Sequence, residues 1–233
     1  MRQGLGSLVC GLIASVLLVT LTSSVEEHAA GATVCKQAYS YAGLQGSAVV
    51  AGIRAELTVL TAPQVDAGHV AGWIGVGGPG LGPGGTDQWL QAGYSAFPDG
   101  TVQLYYEIAL PRRAPEYHAV ESEAQVGESR LIAIREVSGT KGAWRVWVGS
   151  GPVSPVYLLT ASDREYVPQA IGESWRPSNG PCNAYAWLFH SGRVALRPGG
   201  AWISRGKKPR YEWHDIGYRV KRIPPDSFEA SSR

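Results

Sequence analysis

The chain has 233 residues, enough to bury one sizeable core, and its formal charge of +2 is too small to argue for a nucleic-acid partner. Thirty glycines and fifteen prolines favour many turns and exclude an architecture of long helices.

Residues 1–32 read as a signal peptide. Arg2 gives a short positive start, Leu8 to Leu21 form an apolar run, and Ser23 and Ser24 close it. Small-residue cleavage sites follow at His28-Ala29-Ala30 or Ala30-Gly31-Ala32. The run is short for a membrane span, which needs about 20 apolar residues, and an uncleaved anchor is the rival reading. Val9 before Cys10 is a poor lipoprotein signal. Cleavage predicts a secreted, extracellular protein with no stable membrane insertion. It also removes Cys10 and leaves Cys35 and Cys182, which in an oxidising compartment form a disulfide or remain two buried thiols. A bridge would close a long loop, worth at most roughly 4–5 kcal/mol.

Residues 33–225 read as one β-domain. Ile53 to Val59 alternates apolar and polar, as a half-buried strand does. Trp73 to Gly77 is a short strand running into an exposed Gly/Pro loop, Gly77 to Gly85. Asp87 to Tyr94 is the next strand, and Pro98-Asp99-Gly100 is a turn. From Thr101 to Leu110 one face carries Val102, Leu104, Tyr106, Ile108 and Leu110, the other Gln103, Tyr105 and Glu107. The first face suits a core and the second a binding cleft. Further strands are predicted at Arg130 to Val137, Ala143 to Gly149, Pro155 to Thr160, Val167 to Trp175 and Trp187 to Leu196, with Tyr211 to Arg222 as the last. Such a series of short strands indicates an antiparallel sandwich or barrel. Residues 226–233 read as a frayed C-terminal tail. The stretch from Arg205 to Arg222 is basic and is either a solvated face or a contact for an anionic envelope partner.

Several segments carry a family resemblance. Trp73-Ile74-Gly75-Val76-Gly77 is similar to the Trp-Val-Gly-Ile-Asp strand of the glutamic peptidases, the eqolisins. Trp89-Leu90-Gln91-Ala92-Gly93 resembles their Leu-Gln-Thr-Gly segment, which holds the catalytic Gln, and Tyr105-Tyr106-Glu107 their Trp-Tyr-Glu. Gln169-Ala170-Ile171-Gly172-Glu173 is similar to Glu-Trp-Ile-Val-Glu, whose last residue is the catalytic carboxylate, and Ser40-Tyr41-Ala42-Gly43 resembles Asn-Trp-Ala-Gly. The order and spacing of these segments resemble the family's, and the chain is similar to what a divergent, bacterial-type member would be.

The resemblance implies an all-β, concanavalin-like, two-sheet antiparallel sandwich and a secreted acid endopeptidase acting as a monomer on protein or peptide substrates. Glu173 would be the general base that activates water and Gln91 the donor to the oxyanion. Tyr41, Trp73, Tyr105 and Glu107 would contact substrate. There are departures: Gly77 and Gln103 stand where the family has Asp, and the segment before Glu173 lacks the family's Trp and earlier Glu. They leave open a non-catalytic module holding peptide or glycan with Tyr41, Trp73, Trp89 and Tyr105. The scattered His69, His118, His190 and His214 show no metal-ligand spacing, and no Gly-x-Ser-x-Gly elbow, phosphate loop or cofactor motif is present.

Overall fold

Alternation of side chains builds this domain. Along Val102–Ala109 the side chains of Val102, Leu104, Tyr106 and Ile108 enter the main core, while Gln103, Tyr105 and Glu107 turn to the opposite face. The computed structural model describes residues 34–46, 49–159, 166–204 and 211–233. The signal-peptide reading of 1–32, with Cys10, and the basic residues Arg205, Lys207, Lys208 and Arg210 lie outside the described residues.

In chain order the strands are β1 (Val34–Cys35), β2 (Tyr39–Gln45), β3 (Gly52–Val59), β4 (His69–Gly78), β5 (Gln88–Ala96) and β6 (Val102–Ala109). Then come β7 (Glu116–Glu121), β8 (Ser129–Glu136), β9 (Ala143–Val148), β10 (Gly151–Pro152), β11 (Tyr157–Leu158) and β12 (Pro168–Trp175). The last are β13 (Gly180–Pro181), β14 (Ala186–Ala195), β15 (Ile203–Ser204), β16 (Tyr211–His214), β17 (Tyr218–Ile223) and β18 (Ser227–Ser232). A seven-stranded antiparallel sheet runs β16-β2-β12-β4-β5-β6-β7. The second sheet runs β10-β9-β8-β3-β14-β18-β17, with β11 and β15 at its margins. One core takes side chains from both, including Ile74, Leu90, Tyr94 and Ile108 from the first and Leu57, Ile132, Trp187 and Phe228 from the second. The expected two-sheet antiparallel β-sandwich is therefore present.

Two glycines let large rings press onto the first sheet. Gly72 and Gly172 are cross-strand partners on β4 and β12, and both face the core. A Cβ at Gly72 would lie 2.6 Å from the Trp187 ring, and one at Gly172 would lie 2.7 Å from the Tyr185 ring. Beside them, β1 pairs with β13, and Cys35 is bridged to Cys182 across this small ribbon. The cysteine pair is a disulfide, not two thiols.

The chain's end departs from expectation. The predicted strand Tyr211 to Arg222 is two strands in different sheets, divided by a turn through Asp215 and Gly217. Gly217 has φ 88°, and a Cβ there would meet the Cys182 sulfur at 2.7 Å, so this turn needs glycine. The predicted tail is wrong in the same region. Residues Ser227–Ser232 form β18, which lies between β14 and β17 with Phe228 and Ala230 buried. Those two side chains alternate inward as a central strand requires. Tyr39–Gln45 and Glu116–Glu121 are strands that the composition did not announce. The Pro155 to Thr160 prediction contracts to the two residues of β11. The Gly/Pro loop is only partly exposed, because Gly77, Gly78 and Gly82 are buried. No helix among the described residues is long and apolar enough to cross a membrane.

Candidate active site

Side-chain parity gathers the polar groups on the outer face of the seven-stranded sheet. In β5, Leu90, Ala92 and Tyr94 point into the core, which turns Trp89, Gln91 and Gly93 outward. In β4, Val70, Ile74 and Val76 point inward, which turns His69, Ala71, Trp73 and Gly75 outward. In β12, Ala170 points inward and Gln169, Ile171 and Glu173 outward. Register then fixes the neighbours. Gln91 is opposite Glu107 on β6 and opposite Gly75 on β4. Glu173 is opposite Ala71 on β4 and Tyr41 on β2.

These residues line a cleft of about 600 Å³. Gln91, Glu173, Tyr41, Trp73, Tyr105 and Glu107, the six expected site residues, are all on its wall. Its floor is a small apolar cluster of Ala71, Trp73, Tyr105 and Ile171, packed against Tyr41 and Trp213 and separate from the main core. Eight lining residues are Tyr, Trp or Phe, so the walls offer flat apolar surface between the polar groups.

Glu173 is 7 % exposed, and each carboxylate oxygen meets one partner. Oε1 lies 3.2 Å from His69 Nε2, and Oε2 accepts a 3.1 Å hydrogen bond from Trp73 Nε1. A buried carboxylate is costly without such donors. His69 is itself boxed by rings: it stacks on Trp175 at 5.7 Å and meets Tyr39 and Phe97 at 6.3 and 6.4 Å.

Gln91 donates from Nε2 to the Tyr105 hydroxyl at 3.3 Å. Tyr105 stacks on Tyr117 with centroids 4.9 Å apart. The Tyr117 hydroxyl donates to Gln103 Oε1 at 2.9 Å and lies 2.6 Å from Ser95 Oγ. Glu107 accepts from Trp89 Nε1 at 2.9 Å. Burial pushes the Glu107 carboxyl above its ordinary range; the Trp89 N–H pulls it down, and the charge of Glu173 pushes it up again. Burial likewise raises the Tyr105 and Tyr41 hydroxyls, with Glu173 adding to both, so these phenols stay protonated.

Gln91 and Glu173 lie on the two strands that flank β4. Strand β4 runs between them, and their partners Gly75 and Ala71 are four residues apart along it. The Trp73 indole stands on that strip, with its ring edge 3.1 Å from where a Gly75 Cβ would be. Glu107, on the Gln91 side of β4, feels the charge of Glu173 on the opposite side. Gln169 shares the level of Gln91 across Gly75 and donates to the Gly77 carbonyl at 3.0 Å.

His69 and Tyr117 are polar members that sequence reasoning did not assign a role, and Trp89, expected only as a binding surface, also donates to Glu107. The parity of His69 with Trp73 on one strand was available as a signal, but its meeting with Glu173 needs the β4–β12 register. Among the described residues no group of three or more His, Cys, Asp or Glu is arranged to hold a metal ion.

The fold has solved counterparts. It is similar to scytalido-glutamic peptidase bound to a transition state analog inhibitor, with TM-score 0.55 and 16% identity, over 86% of this chain and 100% of that one. It is equally similar to SCP-B, a member of the eqolisin family of peptidases in complex with the tripeptide Ala-Ile-His. There the TM-score is 0.55 and the identity 15%, with the same coverage. The likeness supports a distant glutamic-peptidase-like fold. No family model matches the sequence. No curated protein matches it either.

Proposed function

We propose that the chain is a secreted, acid-acting endopeptidase in which Glu173 takes a proton from water and Gln91 steadies the oxyanion. The observation that carries this reading is Glu173 itself: a nearly buried carboxylate, aimed by His69 and Trp73, in a cleft shared with Gln91. The glutamic-peptidase-like fold agrees with it. Ionised Glu173 would abstract the water proton as the oxygen adds to the scissile carbonyl. The Gln91 amide, once released from Tyr105, would donate to the oxygen that becomes negative. Trp73, Tyr41 and Tyr105 would bracket the peptide with apolar surface. The Cys35–Cys182 bridge favours an oxidising, extracellular compartment.

The test is cleavage of an unfolded protein by the chain lacking residues 1–32, from acid to neutral pH. Glu173→Gln is expected to remove activity and Gln91→Ala to lower it by about 10²–10³. Undiminished cleavage by Glu173→Gln would falsify the assignment. The aromatic lining favours one alternative, a module that holds peptide or glycan without turnover. Tight binding of an intact peptide at acid pH with no product would select it.

A further inference from the structure

Glu107 has no assigned part in the chemistry above, yet it faces the same cleft as Glu173. It is the direct cross-strand partner of Gln91, and such pairs place Cβ atoms about 5 Å apart. The Trp89 indole occupies its Oε1. An oxygen that accepts an N–H bond is the carbonyl-like one, so the proton of the acid form belongs on Oε2. The other carboxyl of the cleft, Glu173, is held instead by His69, the first residue of β4, at 3.2 Å.

We propose that Glu107 is a second catalytic carboxyl, seated beside Gln91 and capped by Trp89, that delivers the proton the departing amine requires. This rests on the peptidase reading of the cleft and divides its proton work between two residues. Water oxygen adds to the carbonyl carbon while Glu173 takes the water proton. The C–N bond then breaks, its electron pair stays on nitrogen, and the Glu107 Oε2 proton moves to that nitrogen. Glu107 is left ionised and Glu173 protonated, and one proton passing between them through solvent restores both. Water and peptide have become an acid and an amine.

The surroundings of Glu107 agree. Burial first, and then the Glu173 charge, keep its proton on to higher pH than an ordinary carboxyl. The other titratable groups facing it are Tyr39, Tyr41, Tyr105, Tyr117 and His69. Burial raises all four phenols, so they remain neutral when Glu107 titrates. Two carboxyls held in unlike settings are the arrangement from which an acid and a base are made.

The test separates proton donation from support. Glu107→Gln keeps the acceptor for Trp89 and loses the transferable proton. It is expected to lower turnover of a peptide substrate by about 100-fold or more. On the p-nitrophenyl ester of the same peptide, whose leaving group needs no proton, its rate should stay within about threefold of the parent. Equal losses on both substrates would overturn the proposal, because a residue that merely shapes the cleft serves both. NMR titration of labelled side-chain carboxyls in the parent chain is a readout without turnover. Retention of the Glu107 proton above the ordinary carboxylate range supports the proposal, and an ordinary titration overturns it. A parent chain that cleaves neither substrate refutes the peptidase reading, and the titration still decides whether Glu107 is a held acid.

Discussion

Removing the Cys35–Cys182 bridge gives the most calculable perturbation. The two cysteines are 147 residues apart in sequence, so the bridge closes a loop of most of the domain. Loop-closure entropy for that length is about 17 cal/mol/K, or about 5 kcal/mol at 25 °C, taken from the unfolded state. That figure is an upper value, and bridges commonly contribute roughly 2–4 kcal/mol. With an m-value of about 2 kcal/mol/M in urea, Cys35→Ala/Cys182→Ala should unfold about 1–2.5 M earlier than the parent. Urea titration followed by tryptophan fluorescence reads this directly. The loss also has a local side. Asn183 follows Cys182, accepts from the Asp66 and Arg176 N–H groups, and donates to the Ala67 carbonyl. It thereby holds the loop that leads into β4 and His69. A midpoint shift under about 0.5 M would refute the loop argument and place the cross-link's effect outside chain entropy.

Four further outcomes are expected. Gly72→Ala should lose about 1–3 kcal/mol in the same titration, since the added methyl meets the Trp187 ring at 2.6 Å. Deleting Ser227 to Arg233 should abolish cooperative unfolding, because β18 bridges β14 and β17 and carries buried Phe228 and Ala230; a cooperative transition in the truncated chain would contradict this. Glu107→Gln should be no more stable than the parent at acid pH but more stable at neutral pH. Its raised carboxyl contributes stability below the ordinary carboxylate value and loses it as pH climbs through the folded value. Urea midpoints of both chains at the two pH values check the sign. Trp89→Phe removes the N–H that pulls the Glu107 carboxyl down, so the Glu107 titration should move to higher pH.

Much of the fold was legible because one face of several strands is buried. Ile53 to Val59 and Val102 to Ile108 alternate strictly, and both lie in strands with one face in the core. Where burial comes from a distant partner, the local pattern is weak. Ser-Phe-Glu-Ala-Ser-Ser in β18 is small and polar, and only β14 and β17 on its two sides make it central. The division after His214 had its signal in Asp215 and Gly217, a turn pair that read as part of one long strand. The same limit governs the cleft. That Gln103, Tyr105 and Glu107 share a face follows from a period of two within one strand. That His69 and Trp73 grip Glu173 follows only from the pairing of β4 with β12, which joins segments about a hundred residues apart.

The two missing Asp residues have structural counterparts in this cleft. At Gly77 the backbone has φ 85°, and a Cβ would fall 2.2 Å from the Gln88 carbonyl oxygen, so no side chain fits. The cross-strand partner of Gly77 is Trp89, whose indole N–H donates to Glu107. At Gln103 the side chain is a neutral acceptor for the Tyr117 hydroxyl, which also reaches Ser95. Two positions that could have carried negative charge thus belong to networks of indole, phenol and amide groups. Fewer carboxylates in a partly buried cleft mean less mutual repulsion around Glu107, whose carboxyl is already pushed up by burial and by the Glu173 charge. The same departures that set this chain apart from the eqolisin pattern therefore leave a simpler electrostatic problem, with two carboxyls, one imidazole and a set of neutral donors to hold them.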